Sequence, residues 1–328
     1  MPPVLVVNHL TKTFQSKRRF FFLKTQTPPF TAVDDISFQL REGEILGILG
    51  SNGAGKTTTI EMLLGVLTPS SGSILYFGKD LFKYTSETLQ YVGHASPYNK
   101  LATFLTIQEN LEIIGRLYSI PYLEIKKRID RLLEHFGMDT FRNKQAGSLS
   151  AGQLTRVMLV KAFLPYPRIV LLDEPTASLD PDIALEVRSF IKGQQSAYGV
   201  SIILTSHNMQ EVAEVANRVL VLMQGKIIQE DTPEKLAKSV AVTEVTFTNL
   251  ENIEKLIPLL HKQEWVFRMQ EKKMIFDLDE GDVPYLLSLF AHEGVTYTHI
   301  EIEKPTLEDY FLHISRLQAE KEALKWQS

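Results

Sequence analysis

The fold of this chain is decided by one stretch, Gly50-Ser51-Asn52-Gly53-Ala54-Gly55-Lys56-Thr57-Thr58, which fits the pattern G-x-x-x-x-G-K-[ST]. The preceding run 44–49 is typical of a buried strand, and the following run 59–64 is typical of the first turns of a helix. In such an arrangement, backbone N–H groups converge on phosphate oxygens at the helix N-terminus. The pattern therefore predicts a phosphate-binding loop, although alone it would also fit a chance glycine turn before a helix.

Four side chains extend this prediction to a nucleotide with its metal ion. Lys56 is expected to place a positive charge beside the β- and γ-phosphates, and the Thr57 hydroxyl to bind Mg²⁺. The apolar run 168–172 ends in Asp173 and Glu174. Beside a glycine loop, we expect Asp173 to support Mg²⁺ and Glu174 to act as general base for a water molecule. Without that loop, the two carboxylates would equally suit the dipole of a following helix.

The composition limits the class of protein. A length of 328 residues indicates a large domain plus a smaller one, and a net charge of −4 gives no reason to expect a nucleic-acid partner. The absence of cysteine excludes disulfides and thiol catalysis. Because the apolar runs are far shorter than the ~20 residues of a membrane helix, and because no secretory signal pattern opens the chain, we expect a cytosolic protein.

The hydrophobic pattern predicts an α/β domain over residues 1–239. Alternating residues up to about residue 40 predict antiparallel strands, and later apolar runs separated by helical patterns predict a parallel sheet. Within this domain, the stretch of about 95–165 is dominated by helical periodicity. We interpret it as a helical subdomain inserted between two strands. The parallel and antiparallel strands together predict a mixed sheet with an antiparallel β subdomain.

The remaining residues, 240–328, predict a small α+β domain. Their order is β-α-β-β-α-β, with strands expected near 242–247, 265–269, 274–278 and 295–302 and helices near 253–260 and 283–290. This is the order of a ferredoxin-like fold. A final helix is predicted from Thr306, with Asp309 closing a capping box.

A second anion site is suggested by Leu149-Ser150-Ala151-Gly152-Gln153, which precedes a helical run. Taken alone, these residues are better explained by an ordinary helix cap. Together with the glycine loop, they make the chain resemble the ATP-binding subunit of an ABC transporter over about residues 4–240. The five residues match the LSGGQ signature of that family, with Ala151 where glycine is usual.

Three further matches follow the family's order. Phe14 matches the aromatic residue that stacks on adenine, Ser178-Leu179-Asp180 matches the D-loop, and His207 matches the switch histidine that approaches the γ-phosphate. The resemblance implies two ATP sites at a head-to-tail dimer interface and an ABC-type P-loop NTPase fold. It implies ATP and Mg²⁺ as cofactors, Glu174 and His207 as catalytic residues, Thr57 and Asp173 as metal ligands, and nucleotide contacts from Phe14, Gly50, Ser51, Asn52, Gly53, Ala54, Gly55, Lys56, Thr57, Thr58, His94, Ser150, Ala151, Gly152, Gln153 and Asp180.

Two positions depart from the family pattern. His94 follows Tyr91-Val92-Gly93 at the position where the Q-loop glutamine is usual. Titration of an imidazole near pH 6.5 would make activity pH-sensitive, whereas an alignment shifted by a few residues, with Gln90 nearby, is the alternative. Ala151 adds a methyl group where a backbone approaches phosphate, so we expect a looser or shifted closed dimer.

Two segments suggest how the subunit is used. The tail Pro305–Phe311 resembles the LEDxF ending of ATPase subunits that serve ABC-2-type exporters, although a capped amphipathic helix would also explain it. The run Lys17–Phe22 mixes basic and aromatic residues. It is expected either to contact the membrane or, as the preferred interpretation, to extend a hairpin.

The resemblance implies a motor subunit peripheral on the cytosolic face of the membrane. Its expected partners are membrane-spanning permease subunits, contacted near residues 94–117, and a second ATPase subunit, identical or paralogous. A soluble ABC ATPase of translation or DNA repair is the alternative. The single glycine loop and the short stretch 57–149 before the signature argue against it. A regulatory module that binds ATP without hydrolysing it is disfavoured by Glu174 and left open by His94 and Ala151.

Overall fold

The computed structural model describes residues 2–15, 17–20, 23–26, 29–96, 101–177, 179–240, 243–251, 260, 265–270 and 273–325. The chain folds as two compact units, Met1–Thr232 and Pro233–Ser328. The second unit begins at Pro233, earlier than the sequence-based boundary near residue 240. The reason is that the short helix Pro233–Lys238 packs against the C-terminal helix Leu307–Lys325.

The first unit contains twelve described strands and seven described α-helices. The strands are β1 (Pro3–Phe14), β2 (Lys17–Phe20), β3 (Leu23–Gln26), β4 (Phe30–Arg41), β5 (Ile45–Leu49), β6 (Ser71–Tyr76), β7 (Lys79–Asp80), β8 (Val92–Ala95), β9 (Ile169–Asp173), β10 (Ser201–Ser206), β11 (Arg218–Met223) and β12 (Lys226–Asp231). The helices are α1 (Lys56–Leu63), α2 (Thr85–Leu89), α3 (Ile107–Leu117), α4 (Tyr122–His135), α5 (Ala151–Phe163), α6 (Pro181–Tyr198) and α7 (Met209–Val215).

A six-stranded sheet of order β12-β11-β5-β10-β9-β8 forms the centre of this unit. All of its strands are parallel except β12, which pairs antiparallel with β11. Every residue of β5, β9 and β10 is buried, as expected for parallel strands that are covered on both faces. The predicted parallel sheet is therefore confirmed, and its carboxyl edge collects the ends of β5, β8, β9 and β10.

Each face of the central sheet packs against a different layer, because alternate residues of a strand point to opposite faces. Val170 and Leu172 of β9 belong to the core that includes α3, α4, α5 and α6. Ile169 and Leu171 belong to the core formed with α1 and the antiparallel strands. The helix that follows the glycine loop is thus held between two sheets.

The antiparallel sheet has the order β4-β1-β6-β7, and β2 pairs with β3 as a separate hairpin. Alternating burial along the second half of β4 matches the alternation in its sequence. The hairpin includes Lys17–Phe20. Phe21 and Phe22 lie outside the described residues, so membrane contact by this run stays a prediction.

The helical insert lies between β8 and β9 and includes α3, α4 and α5. A capping box begins α3: the Glu109 N–H donates to the Thr106 hydroxyl, and the Glu109 carboxylate accepts the Thr106 N–H. The buried face of α4 is formed by Ile125, Ile129, Leu132 and Leu133, as its periodicity predicts. Leu117, by contrast, ends α3 with 74% of its surface exposed.

The second unit contains α8 (Pro233–Lys238), β13 (Thr243–Thr248), β14 (Val266–Gln270), β15 (Lys273–Leu278), α9 (Val283–His292), β16 (His299–Glu303) and α10 (Leu307–Lys325). Its sheet is antiparallel with the order β14-β15-β13-β16. Phe247, Phe276 and Phe290 pack edge-on or tilted in the core beneath α9. Because the predicted helix 253–260 lies outside the described residues except for Leu260, the ferredoxin-like assignment stays a prediction.

The start of α10 has the capping arrangement expected of it. The Thr306 N–H donates to the Asp309 carboxylate over 2.8 Å, and the Asp309 N–H donates to the Thr306 hydroxyl over 3.3 Å. Leu307 and Tyr310 are buried from this helix. Neither α10 nor any other helix among the described residues combines the length and the hydrophobicity needed to cross a bilayer.

Candidate functional site at the carboxyl edge of the central sheet

The glycine loop joins the end of β5 to the start of α1, as predicted. Gly53 and Gly55 have φ of +82° and +106°, which side chains rarely adopt. A Cβ on Gly55 would also lie 2.5 Å from the Ala32 carbonyl oxygen. Gly55 is the N-cap of α1 and has no side chain to bond the first N–H groups of the helix. These N–H groups therefore point to the place where a phosphate would bind.

The Lys56 ammonium group is folded back on the loop. It donates to the carbonyl oxygens of Gly50 and Ser51 over 2.7 and 3.2 Å and lies 3.9 Å from Glu174 Oε1. Burial lowers the pKa of Lys56, and the charges of Glu174 and Asp173 oppose that shift. A cation is thus held at the centre of the site between the loop and two carboxylates.

Asp173, a residue of the predicted metal site, is 1% exposed and accepts three hydrogen bonds from side chains. Its Oδ1 accepts a hydrogen bond from the Thr205 hydroxyl over 2.5 Å, and its Oδ2 accepts from the hydroxyls of Thr57 and Ser96 over 3.3 and 3.4 Å. The strand order explains this meeting, because β9 lies between β10, which carries Thr205, and β8, which precedes Ser96.

The oxygen atoms of Thr57 and Asp173 fit Mg²⁺. Hydroxyl and carboxylate oxygens are hard ligands, and Mg²⁺ is usually held by one or two such groups together with water and substrate phosphates. No group of three or more His, Asp or Glu side chains that could hold a metal occurs among the described residues.

Glu174 and His207 are brought into direct contact. Glu174 has φ of +52°, an uncommon conformation for a residue other than glycine, and its N–H donates to the Thr205 carbonyl oxygen over 3.0 Å. His207 Nδ1 donates to Glu174 Oε2 over 2.6 Å. The two residues predicted to be catalytic thus form one unit beside Lys56.

The structure corrects the expectation for His94. This residue lies within β8 opposite Leu171, two positions before the level of Asp173. The side chain that reaches Asp173 from this part of the chain is that of Ser96, which the sequence analysis missed. The placement agrees with an alignment shifted by a few residues. Residues 97–100 lie outside the described residues.

The expected titration of His94 near pH 6.5 is also wrong. Burial, together with the nearby charge of Lys161, lowers the pKa of His94 to about 4. A ring with this pKa is neutral at physiological pH. His94 therefore gives no charge change in the range in which the sequence suggested a pH-sensitive site.

The signature residues form a helix cap at the surface. Ser150 is the N-cap of α5: its hydroxyl accepts the Gln153 N–H over 3.3 Å, and its own N–H donates to Gln153 Oε1 over 3.1 Å. Ala151 is exposed, and Gly152 is half-buried. The helix cap is confirmed, and the second anion site at the accessible N-terminus of α5 stays a prediction.

The remaining predicted nucleotide contacts lie at two other places. Phe14 ends β1 opposite Phe30, is partly exposed, and has the Lys12 ammonium 5.3 Å from its ring centroid. Asp180 is the N-cap residue of α6 and makes no side-chain bond to that helix. Ser178 of the D-loop lies outside the described residues. Within the part of the chain that is described, no hydrogen bond or ion pair joins Ser150 or Asp180 to the glycine loop.

A separate cleft of about 1220 Å³ lies at the opposite edge of the sheet, where β9 and β10 begin. Two of its cations already have partners: Arg131 donates to the Tyr198 hydroxyl, and Arg168 pairs with Glu42. Asp173 and Ser206 end the same two strands at the other edge. The cleft is therefore not a part of the nucleotide site.

A glycine loop, a buried lysine and a carboxylate beside a threonine hydroxyl define a P-loop nucleotide-binding protein. A family model described as "ABC transporter" matches residues 33–177. The Nod factor export ATP-binding protein I of Cupriavidus metallidurans is 32% identical, over 86% of this chain and 92% of the relative. The bacitracin transport ATP-binding protein BcrA of Bacillus licheniformis is 30% identical, over 96% and 98%. This chain belongs to the family of ATP-binding subunits of ABC transporters.

A solved structure shows the same fold. It is a dimeric ATP-binding cassette in a post-hydrolysis state bound to ADP and Pi, with 22% identity and a TM-score of 0.63 over 70% of this chain and 98% of that chain. The ABC-type P-loop fold class expected from the motifs is confirmed. The chain is an ABC ATPase with an additional C-terminal unit.

Proposed function

We propose that this chain is the ATP-hydrolysing motor subunit of an ABC exporter and acts at the cytosolic face of the membrane with separate permease subunits. One observation carries the proposal most directly. The Glu174 carboxylate is held by His207 at 2.6 Å and lies 3.9 Å from Lys56, beside the Asp173–Thr57 pair. A positioned carboxylate next to a phosphate site is what water activation requires.

The residues have separate tasks in hydrolysis. The loop N–H groups and Lys56 bind the phosphates, and Asp173 and Thr57 would hold Mg²⁺, which supplies positive charge to the phosphate oxygens. Glu174 accepts a proton from the attacking water. His207 holds the Glu174 carboxylate in place through Nδ1. The chain thus supplies a phosphate cradle, a metal site and a base at one sheet edge.

A second copy or a paralogous ATPase subunit completes the site in this proposal. The exposed cap Ser150–Gln153 and Asp180 would approach the nucleotide held by the other subunit, and Phe14 would stack on adenine. Support comes from the accessible N-terminus of α5 and from the dimeric state of the solved cassette. Closure with ATP and opening after hydrolysis would supply the motion for transport.

Export is favoured by the relatives, and a permease partner is favoured by the surface of the insert. Names of similar proteins include Nod factor export, bacitracin transport and linearmycin resistance. The insert exposes large apolar side chains at Phe104, Ile113, Leu117, Tyr122 and Leu123. Exposed apolar groups of this kind suit a protein partner, and we assign this surface to the permease.

The test compares the unaltered chain with Glu174→Gln in ATP hydrolysis and in light scattering with and without ATP. Loss of the base should lower kcat about a hundredfold or more and accumulate an ATP-bound dimer. Glu186→Gln is the matched control, because Glu186 is an exposed carboxylate on α6 at the far cleft. Turnover of Glu174→Gln near that of the control would refute the role of Glu174, and ATP binding without turnover in the unaltered chain would favour a regulatory module.

A further inference from the structure

A buried carboxylate joins the two segments that carry Glu174 and His207. Glu211, in the first turn of α7, is 1% exposed. Its Oε1 accepts a hydrogen bond from the Thr176 hydroxyl over 2.7 Å, and its Oε2 accepts from the Ser206 hydroxyl over 2.6 Å. Thr176 stands two residues after Glu174, and Ser206 directly precedes His207. One side chain thus bridges both halves of the catalytic pair.

The turn that carries His207 is fixed on both sides by the same group of atoms. The Ser206 hydroxyl donates to Glu211 and accepts the Asn208 N–H over 3.0 Å. The Asn208 side chain in turn accepts the Glu211 N–H over 3.1 Å. His207 lies between these two residues, so its backbone position depends on the Glu211 carboxylate.

Burying a carboxylate is unfavourable unless hydrogen bonds compensate for the lost water. Burial raises the pKa of Glu211, against the effects of its two hydroxyl donors. Removing one partner would leave another buried polar group without its hydrogen bond, at a cost of about 1–3 kcal/mol. The carboxylate and its two hydroxyl donors therefore form one unit, and this unit joins the segments of Thr176 and Ser206.

We propose that Glu211 is a positioning residue for ATP hydrolysis: it holds the Thr176 and Ser206 segments together, so that Glu174 and His207 keep their contact. Among the described residues, the hydrogen bonds of the Glu211 carboxylate go to Thr176 and Ser206 and not to the glycine loop. Its removal should therefore act on the chemical step and not on ATP binding. The inference rests on the proposed ATPase function and deepens it.

The decisive variants are Glu211→Ala and Glu211→Gln. Alanine removes both hydrogen bonds, and a misplacement of about 1 Å in a catalytic group can lower the rate on the order of a hundredfold. We expect kcat to fall by at least about tenfold with the KM for ATP within about twofold. Glutamine keeps the shape, since its Oε1 accepts one hydroxyl and its Nε2 donates to the other, so it should restore most of kcat.

The controls separate positioning from folding. Gln210→Ala truncates an exposed neighbour on α7 and should leave kcat unchanged. If Glu211→Ala fails to fold, the single variants Thr176→Val and Ser206→Ala each remove one of the two bonds and leave the buried carboxylate its other donor. In a Glu174→Gln background, Glu211→Ala should lower the residual rate less than about twofold, because both changes act through one base.

Three results would overturn the inference. Normal kcat in Glu211→Ala would do so, as would equal losses in Glu211→Gln and Glu211→Ala, which would show that charge acts and not hydrogen bonding. If Glu211→Ala lowered the residual kcat of Glu174→Gln as much as it lowers the kcat of the unaltered chain, Glu211 would not act through Glu174. In each of these cases the unaltered chain would still hydrolyse ATP. Failure of the proposed function would instead appear as no turnover by the unaltered chain, so the two failures are distinguishable.

Discussion

Two glycines of the same loop should respond very differently to alanine. Gly53 and Gly55 both have positive φ, but a Cβ on Gly53 would meet nothing within 4 Å, whereas one on Gly55 would lie 2.5 Å from the Ala32 carbonyl oxygen. Gly53→Ala therefore adds only backbone strain, about 1–2 kcal/mol. Gly55→Ala adds overpacking of about 1–3 kcal/mol to a strain of that size, about 2–5 kcal/mol in all.

The comparison is made by thermal unfolding without nucleotide. For a unit of this size, each kcal/mol lowers Tm by about 2–4 °C. We expect Tm to fall by about 2–8 °C for Gly53→Ala and by about 4–20 °C for Gly55→Ala. ATP affinity should also fall more for Gly55→Ala, because the new methyl group displaces the loop or the adjacent Ala32 of β4. The same Tm for the two variants, or a larger loss at Gly53, would refute the inference that the Ala32 carbonyl restricts this position.

Two further predictions concern charge. Lys56→Ala removes charge-assisted hydrogen bonds worth about 1.5–3 kcal/mol, so ATP affinity measured by calorimetry should fall about 10–150-fold, and unchanged affinity would contradict the assignment of the loop. Folding lowers the pKa of His94 from 6.5 to about 4. Between these values, the unfolded chain binds a proton that the folded chain does not, so the stability of the fold decreases as the pH decreases. The variant His94→Gln should reduce the dependence of Tm on pH between pH 6.5 and 4.5. It should leave the pH profile of ATP hydrolysis near pH 6.5 unaltered, and an altered profile would show that His94 acts in the site.

The sequence predicted the glycine loop and the parallel sheet because each depends on local chemistry. Position 55 requires glycine because its φ is positive and because the Ala32 carbonyl oxygen leaves no room for a Cβ. A required glycine at a fixed place in the loop is part of the motif that the sequence shows. The buried strands β5, β9 and β10 appear as continuous apolar runs because both of their faces are covered. Asp173 and Glu174 then follow from the rule that strand ends meet at one sheet edge.

Residues placed by long-range register were missed. Ser96 reaches Asp173 only because β8 pairs with β9 so that Ala95 faces Leu172. No local pattern marks that register, and the family motif alone points to His94. The start of the second unit at Pro233 was missed for a similar reason, since the contact between α8 and α10 spans many residues of sequence.

The buried network around Glu211 shows why the contact between Glu174 and His207 needs more than its own two residues. Glu174 has a strained φ of +52°, and His207 follows a strand end, so neither position is fixed by regular structure alone. The Thr205 carbonyl oxygen holds the Glu174 backbone, and the Ser206 hydroxyl holds the turn of His207. Because Glu211 binds Ser206 and also Thr176, movement of one segment is transmitted to the other. We therefore expect the distance between Glu174 and His207 to depend on Glu211, whose carboxylate is hydrogen-bonded to the neighbouring segments.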